Sequence, residues 1–187
     1  LPFTDVKNTD WCFSEVARVY ADGIMGGTSN TTFSPAVTLT RGQVVAMLYR
    51  MAGSPAVTAN TTGFSDVDNG AYYADAVKWA SGKEIVGGYA DGTFAPNRAI
   101  TREQLAAILY RYAKANGADI SVGEDTNLLS YKDFQSVGQY AVPALQWAVG
   151  SGLIGGTTNA MLSPKGTATR AQAAVILVRF VGMTAAK

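Results

Sequence analysis

"TREQLAAILYRY" (Thr101–Tyr112) occurs in the same frame twice more, as "TRGQVVAMLYRM" (40–51) and "TRAQAAVILVRF" (169–180). Each copy opens with Thr and carries Gln three residues later. That pair is a capping box, in which each side chain meets a backbone N–H at the other's position. Apolar residues then follow at i, i+3, i+4 and i+7: Val44, Met47, Leu48, Met51; Leu105, Ile108, Leu109, Tyr112; Ala173, Ile176, Leu177, Phe180. This spacing predicts three helices, each with one buried stripe. Gly53, Gly117 and Gly182 lie just past the expected ends. One column resists this reading. Arg41, Arg102 and Arg170 hold the first helical position, where the dipole is positive and a cation is disfavoured by roughly 0.3–1 kcal/mol.

The helices belong to longer repeats. Displaced by 61 residues, Phe3-Thr4-Asp5-Val6 falls on Phe64-Ser65-Asp66-Val67, and Gly26-Gly27 on Gly87-Gly88. Displaced by a further 68, Gly155-Gly156, Leu162-Ser163-Pro164 and Thr169-Arg170 take the same places; the opening Tyr131-Lys132-Asp133-Phe134 sits at 67. The repeats are expected at 1–53, 64–117 and 131–183, with polar linkers at 54–63 and 118–130. Each reads as helix, glycine-marked loop, helix. The first helix is expected at roughly 10–22, 70–81 and 138–150, stopped by Gly23, Gly82 and Gly150 or Gly152. "IMGG", "IVGG" and "LIGG" follow, then a turn, clearest at Asp91-Gly92, with a very short strand pair expected around it. Pro35, Pro96 and Pro164 close the loops. One stripe per helix cannot be buried within one repeat. The expected fold is therefore mainly α: three helix-loop-helix units packed around an approximate threefold axis as one three-pronged bundle with short loop strands.

Composition narrows function. The 187 residues carry a net charge of +1, with 48% hydrophobic and 16% charged residues. That balance gives no electrostatic argument for nucleic acid, and there is no basic recognition helix. No window reaches the length of a membrane span, the longest apolar run being interrupted by Arg179. The opening "LPFTDV" has no charged segment leading into an apolar run, so no export signal is expected within these residues. There is no His and a single Cys, Cys12, so no disulfide, thiolate cluster or His-based metal site is expected, and no cofactor.

Four further columns align across the copies. Asp5, Asp66 and Asp133 can pair with the first-turn arginines from within. Alternatively, an external carboxylate or phosphate meets Arg together with free N–H groups at the helix start. The two answers are compatible if Asp orients Arg. Trp11, Tyr72 and Tyr140 stand at the start of the first helix, either packing between repeats or offering a flat face to a sugar ring. Gly26-Gly27, Gly87-Gly88 and Gly155-Gly156 permit a tight turn or the close approach of a ligand to the backbone. Arg50, Arg111 and Arg179 sit near helix C-termini, where a cation is favoured, so the helix accounts for them. Trp79 and Trp147 are expected to pack.

The order Phe-x-Asp-Val, aromatic, Gly-Gly, Phe-x-Pro, Thr-Arg-x-Gln, three times over, resembles the S-layer homology (SLH) domain family. The resemblance covers about 3–52, 64–116 and 131–182, and "GGYADGTFAPNRAITREQLAAIL" is its most specific stretch. Repeat 3 departs most, with Tyr-Lys-Asp-Phe at its start and Leu162 where the others have Phe. The resemblance implies a three-pronged pseudo-trimer that anchors exported proteins to secondary cell wall polysaccharide, linked to peptidoglycan in Gram-positive-type envelopes. The ligand it implies carries a pyruvate ketal, whose carboxylate fits the external answer. It also implies ligand contacts from Arg41, Arg102 and Arg170, from Trp11, Tyr72 and Tyr140, and from the loop glycines, in grooves between prongs. One departure touches the charge: the family motif commonly ends in Glu, and all three copies here have Gln.

The expectation is a non-catalytic, monomeric, extracellular glycan-binding anchor. The alternative is an envelope module for protein interaction or structure, with its arginines tied up internally.

Overall fold

The computed structural model describes residues 1–185. Six α-helices run through them: α1 (Phe13–Ala21), α2 (Arg41–Met51), α3 (Ala74–Gly82), α4 (Arg102–Ala115), α5 (Val142–Gly150) and α6 (Arg170–Ala185). The capping boxes are formed at α2, α4 and α6. Thr40 N–H donates to Gln43 Oε1 at 3.1 Å and Gln43 N–H to Thr40 Oγ1 at 3.3 Å, and the Thr101–Gln104 and Thr169–Gln172 pairs repeat this. The apolar stripes are buried, apart from half-buried Met51, and they are wider than the sequence pattern indicates. Ala46, Ala106, Ala107 and Ala174 are buried beside them, so these three helices form the centre of the molecule.

The first helices start three or four residues later than expected. Cys12, Tyr73 and Ala141 stand at their N-caps and give no side-chain cap. The preceding residues form turns instead, with Phe13 N–H to Asp10 O at 3.1 Å and Ala74 N–H to Ala71 O at 2.9 Å. Trp11, Tyr72 and Tyr140 therefore lie on turns ahead of the α-helices, not within their first turns. Two stops also differ. In repeat 2 the left-handed residue after the first helix is Glu84 (φ 57°), aligned with Gly23 (φ 69°), while Gly82 is the last residue of α3. Gly182 lies inside α6, which continues to Ala185.

No strand forms among the described residues. Each glycine-marked loop closes with the same backbone bond across a tight turn: Thr28 N–H to Thr32 O, Tyr89 N–H to Thr93 O and Thr157 N–H to Met161 O, at 2.9, 2.7 and 2.7 Å. Turns this short leave no room for a ladder. The bridges that do exist join different repeats: Thr38 with Thr169, Thr40 with Ala99, Thr101 with Thr167.

Helix packing follows the same cyclic rule. α2 packs on α3 of the next repeat, α4 on α5, and α6 back on α1. Each second helix thus buries its stripe against the following repeat, and one continuous apolar cluster serves all three. Its middle is aromatic, with Tyr112 against Phe180 (centroids 5.7 Å), Trp147 against Phe180 (6.3 Å) and Trp79 against Tyr112 (6.0 Å). No helix among the described residues is long and apolar enough to cross a membrane.

Candidate functional site

Each aspartate of the opening motif organises the Phe-x-Pro loop of its own repeat. Asp5 accepts N–H bonds from Phe33 (2.8 Å) and Ser34 (2.7 Å), Asp66 from Phe94 and Ala95, and Asp133 from Leu162 and Ser163. The second of these residues is held at positive φ in every copy: Ser34 60°, Ala95 56°, Ser163 53°. A carboxylate with both oxygens on backbone donors offsets that strain. Burial alone pushes the Asp5 carboxyl up. The two N–H groups, with Arg170 nearby, more than offset this and hold it below its ordinary value.

The loop shaped in this way receives the helix of the preceding repeat. Arg41 donates Nε to Phe94 O at 2.9 Å and Nη2 to Gly87 O at 3.1 Å. Arg102 does the same to Leu162 O and Gly155 O, and Arg170 to Phe33 O and Gly26 O. The backbone joins in: Arg41 N–H meets Arg98 O at 3.0 Å and Gly42 N–H meets Pro96 O at 2.8 Å, with equivalents at Arg102–Glu103 and Arg170–Ala171. Both internal and external answers to the arginine question need revision here. The aspartates do not ion-pair with the arginines, and the first N–H groups of these helices are already occupied by carbonyls. The arginines stitch neighbouring repeats together, and carbonyl dipoles offset the unfavourable end of the helix.

What remains is a buried charge without a counter-ion. Arg41, Arg102 and Arg170 are only 7%, 8% and 4% exposed. No carboxylate lies at ion-pair distance from any of them among the described residues. Aromatic faces soften the burial, with Arg41 Cζ 4.7 Å from the Phe94 ring centre and Arg170 Cζ 4.6 Å from that of Phe33. Burial pulls all three below their ordinary pKa, and for Arg41 the like charges of Arg98 and Arg111 act in the same direction. A guanidinium remains protonated under these conditions. Nη1 of each makes no hydrogen bond among the described residues.

Beside Arg41 is a pit of about 50 Å³, the scale of an acid group and not of a whole sugar ring. Gly87 and Gln104 of repeat 2, Arg111 at its rim and Tyr140 of repeat 3 also line it. One pit thus joins three of the sequence columns and brings residues of all three repeats together. The aromatics are well exposed: Trp11 67%, Tyr72 65%, Tyr140 52%. The packing reading therefore fails for them, whereas Trp147 is buried and Trp79 half-buried in the core. Tyr72 lies within electrostatic range of Arg50 and Arg170, as Tyr140 does of Arg111. Trp11 and Arg179 hold the corresponding sequence positions at the third junction.

The double glycines divide into two kinds. A Cβ on Gly26, Gly87 or Gly155 would meet nothing, and their carbonyls accept from the arginines. A Cβ on Gly27, Gly88 or Gly156 would lie 2.6, 2.3 or 2.7 Å from the ring of Phe3, Phe64 or Tyr131. The second glycine thus makes room for the aromatic of the opening motif.

Arg50, Arg111 and Arg179 are the functional candidates that the sequence reading assigned to helix ends. A signal was present. Gln104, Ala107, Ile108 and Arg111 form a second i, i+3, i+4, i+7 series, and all four line the pit. Glu103 was also missed. It is 3% exposed and accepts from Gly138 N–H (2.9 Å), Tyr140 Oη (3.0 Å) and Lys165 Nζ (2.5 Å). It fixes one aromatic wall, and the Tyr140 hydroxyl is pushed up to about 12 by burial and then by the Glu103 charge and hydrogen bond. A larger cavity of about 840 Å³ between the C-terminal parts of α4 and α6 includes Asp119 and no arginine, and does not suit an anion.

The molecule is a cyclic three-repeat body whose Arg41 junction carries a cationic, aromatic-lined pit, and the aligned arginines and aromatics stand at the other two junctions. The S-layer homology domain family matches residues 2–45, 63–106 and 130–174, and the chain belongs to that family. It is 37% identical over 94% of its length to an endoglucanase of Bacillus sp. (strain KSM-635), covering 18% of that protein. It is 25% identical over 95% to a cellulosome-anchoring protein of Acetivibrio thermocellus, covering 40%, and 28% over 85% to the surface-layer 125 kDa protein of Lysinibacillus sphaericus, covering 13%. The chain thus spans less than half of each of these relatives. It is a cell-surface anchoring module.

Proposed function

We propose that this module anchors its parent protein non-covalently by binding an acidic cell wall polysaccharide, with pyruvylated sugar as the preferred unit, in the grooves between repeats. The observation that carries the reading is the buried, uncompensated guanidinium beside an exposed aromatic and a second arginine, as at Arg41, Tyr140 and Arg111. A sugar carboxylate reaching Arg41 Nη1 and Arg111 would neutralise charge, while the ring lies on Tyr140. Gln104 in place of Glu favours the anion: its Oε1 is held by Thr101 N–H, and its amide adds no negative charge to the pit. Up to three grooves on one rigid body raise avidity through effective concentration, so a monomer suffices.

The role is binding and not hydrolysis. Glycoside cleavage uses two carboxyl groups roughly 5–9.5 Å apart across the bond, whereas Asp5, Asp66 and Asp133 each have both oxygens occupied by backbone N–H groups of separate repeats. The proposed setting is the wall or surface layer of a Gram-positive-type bacterium, in agreement with the relatives. Cosedimentation with purified sacculi is the test. The module is expected to pellet with intact sacculi and to stay in solution with sacculi stripped of secondary polymer. Equal pelleting with both would refute glycan recognition and favour a protein-interaction or structural role.

A further inference from the structure

The three grooves are built by one rule but do not carry the same charge. At the Arg41 groove, Tyr89 lies against two guanidinium groups, with Arg41 Cζ 5.1 Å and Arg98 Cζ 5.5 Å from its ring centre. The positions equivalent to Tyr89 are Thr28 and Thr157, and those equivalent to Arg98 are Val37 and Gly166. Arg98 is exposed and no carboxylate pairs with it among the described residues. The Tyr89 hydroxyl is buried and has no hydrogen-bond partner among the described residues. Arg111 adds a third cation at the rim. The nearest acid on the Tyr140 side, Glu103, is already held by Lys165, Tyr140 and Gly138. The other two first-turn arginines differ: Arg170 feels Asp5 and Arg102 feels Asp133, whereas Arg41 is opposed by Arg98 and Arg111.

Two guanidinium groups against one ring, with Arg111 on the adjoining pit beside Arg41, form a site that a single carboxylate leaves under-neutralised. Resting on the glycan reading above, we propose that Arg98 and Tyr89 make a second anion subsite, so that the Arg41 groove takes a doubly negative group while the other two take a singly negative one. The shared chemistry is a dianion, supplied either by two neighbouring carboxylates or by a phosphate monoester on the glycan.

Arginine-detected NMR of the whole chain tests this with acetate, malonate and inorganic phosphate at fixed ionic strength, near pH 8. At the Arg41–Arg98–Arg111 groove a dianion is expected to bind about five- to tenfold more tightly than acetate, as one additional charge contact at a partly exposed site supplies. The Arg50–Arg170 and Arg102–Arg179 grooves are expected to discriminate less than twofold. Tight malonate with weak phosphate identifies the dicarboxylate source, and the reverse identifies the phosphate source. Arg98→Gln, an exposed change, is expected to reduce the ratio to that of the other grooves. Equal ratios in all three grooves, no preference for either dianion, or a ratio unchanged by Arg98→Gln overturns the inference. Because the readout needs no wall polymer, it separates from the sacculus experiment: a chain that fails to bind sacculi but retains the dianion preference loses only the proposed function.

Discussion

Arg41→Ala probes the joint on which the fold turns. The substitution removes two hydrogen bonds from a charged donor, to Phe94 O and Gly87 O, and leaves those carbonyls facing a gap. Each such loss is worth about 1.5–3 kcal/mol. The stacking on the Phe94 ring adds about 0.5–1 kcal/mol. Against this, a buried charge without a counter-ion disappears, and its desolvation penalty is relieved. The net expectation is a loss of about 2–4 kcal/mol. Urea unfolding followed by circular dichroism reads it as a midpoint lower by about 0.7–2 M, for a slope of about 2–3 kcal/mol/M. Arg41→Lys restores charge but reaches one carbonyl, and is expected to recover about half. Arg111→Ala, exposed at the groove rim, serves as the control and is expected to cost under about 1 kcal/mol. A loss below about 1 kcal/mol for Arg41→Ala, or one equal to that of Arg111→Ala, would refute the stitching role.

Other substitutions give sharp contrasts. Gly88→Ala is expected to destabilise by about 1–3 kcal/mol, because its Cβ would overlap Phe64, whereas Gly87→Ala stays within about 1 kcal/mol; thermal melts of the pair check this. Glu84→Gly is expected to stabilise by about 0.5–1 kcal/mol by relieving a left-handed residue, and equilibrium unfolding measures it. The folded Asp5 carboxyl lies below its unfolded value of 3.8, so its contribution is present above that pH and is lost as pH falls through the folded value. Asp5→Asn is expected to flatten the acid limb of a stability–pH curve. Tyr140 has the opposite sign: its folded value of about 12 lies above the ordinary 10.0, so its contribution is lost as pH rises between them, and Tyr140→Phe is expected to remove that alkaline limb.

The legible features were those whose partners lie close in sequence. A capping box joins residues three apart, and all three formed as read. The repeat pattern and its apolar stripes gave the mainly α, threefold arrangement, because a stripe that one repeat cannot cover must be covered by the next. The small alanines flanking each stripe carry little hydrophobic signal, so the central position of α2, α4 and α6 was understated. The arginines lay beyond local reading. Their acceptor carbonyls are 53, 60 and 137 residues away, and any residue type presents a carbonyl. The pairing of Asp with Arg was a reasonable charge argument that lost to nearer backbone donors on an ordered loop. Arg50, Arg111 and Arg179 had a sufficient helical explanation, which hid a second role visible only when the neighbouring repeat supplies the opposite wall.

Binding of fragmented wall polysaccharide to the triple variant Arg50→Gln/Arg111→Gln/Arg179→Gln, measured by titration calorimetry beside a thermal melt, tests the groove account most directly. These side chains are exposed, and among the described residues their one hydrogen bond is from Arg50 Nη1 to Ile24 O at 3.3 Å, so the fold is expected to keep its melting temperature within a few degrees. The account expects affinity to fall at least a hundredfold while the fold stands. Affinity equal to that of the unaltered chain would mean that the grooves between repeats are not where the glycan sits.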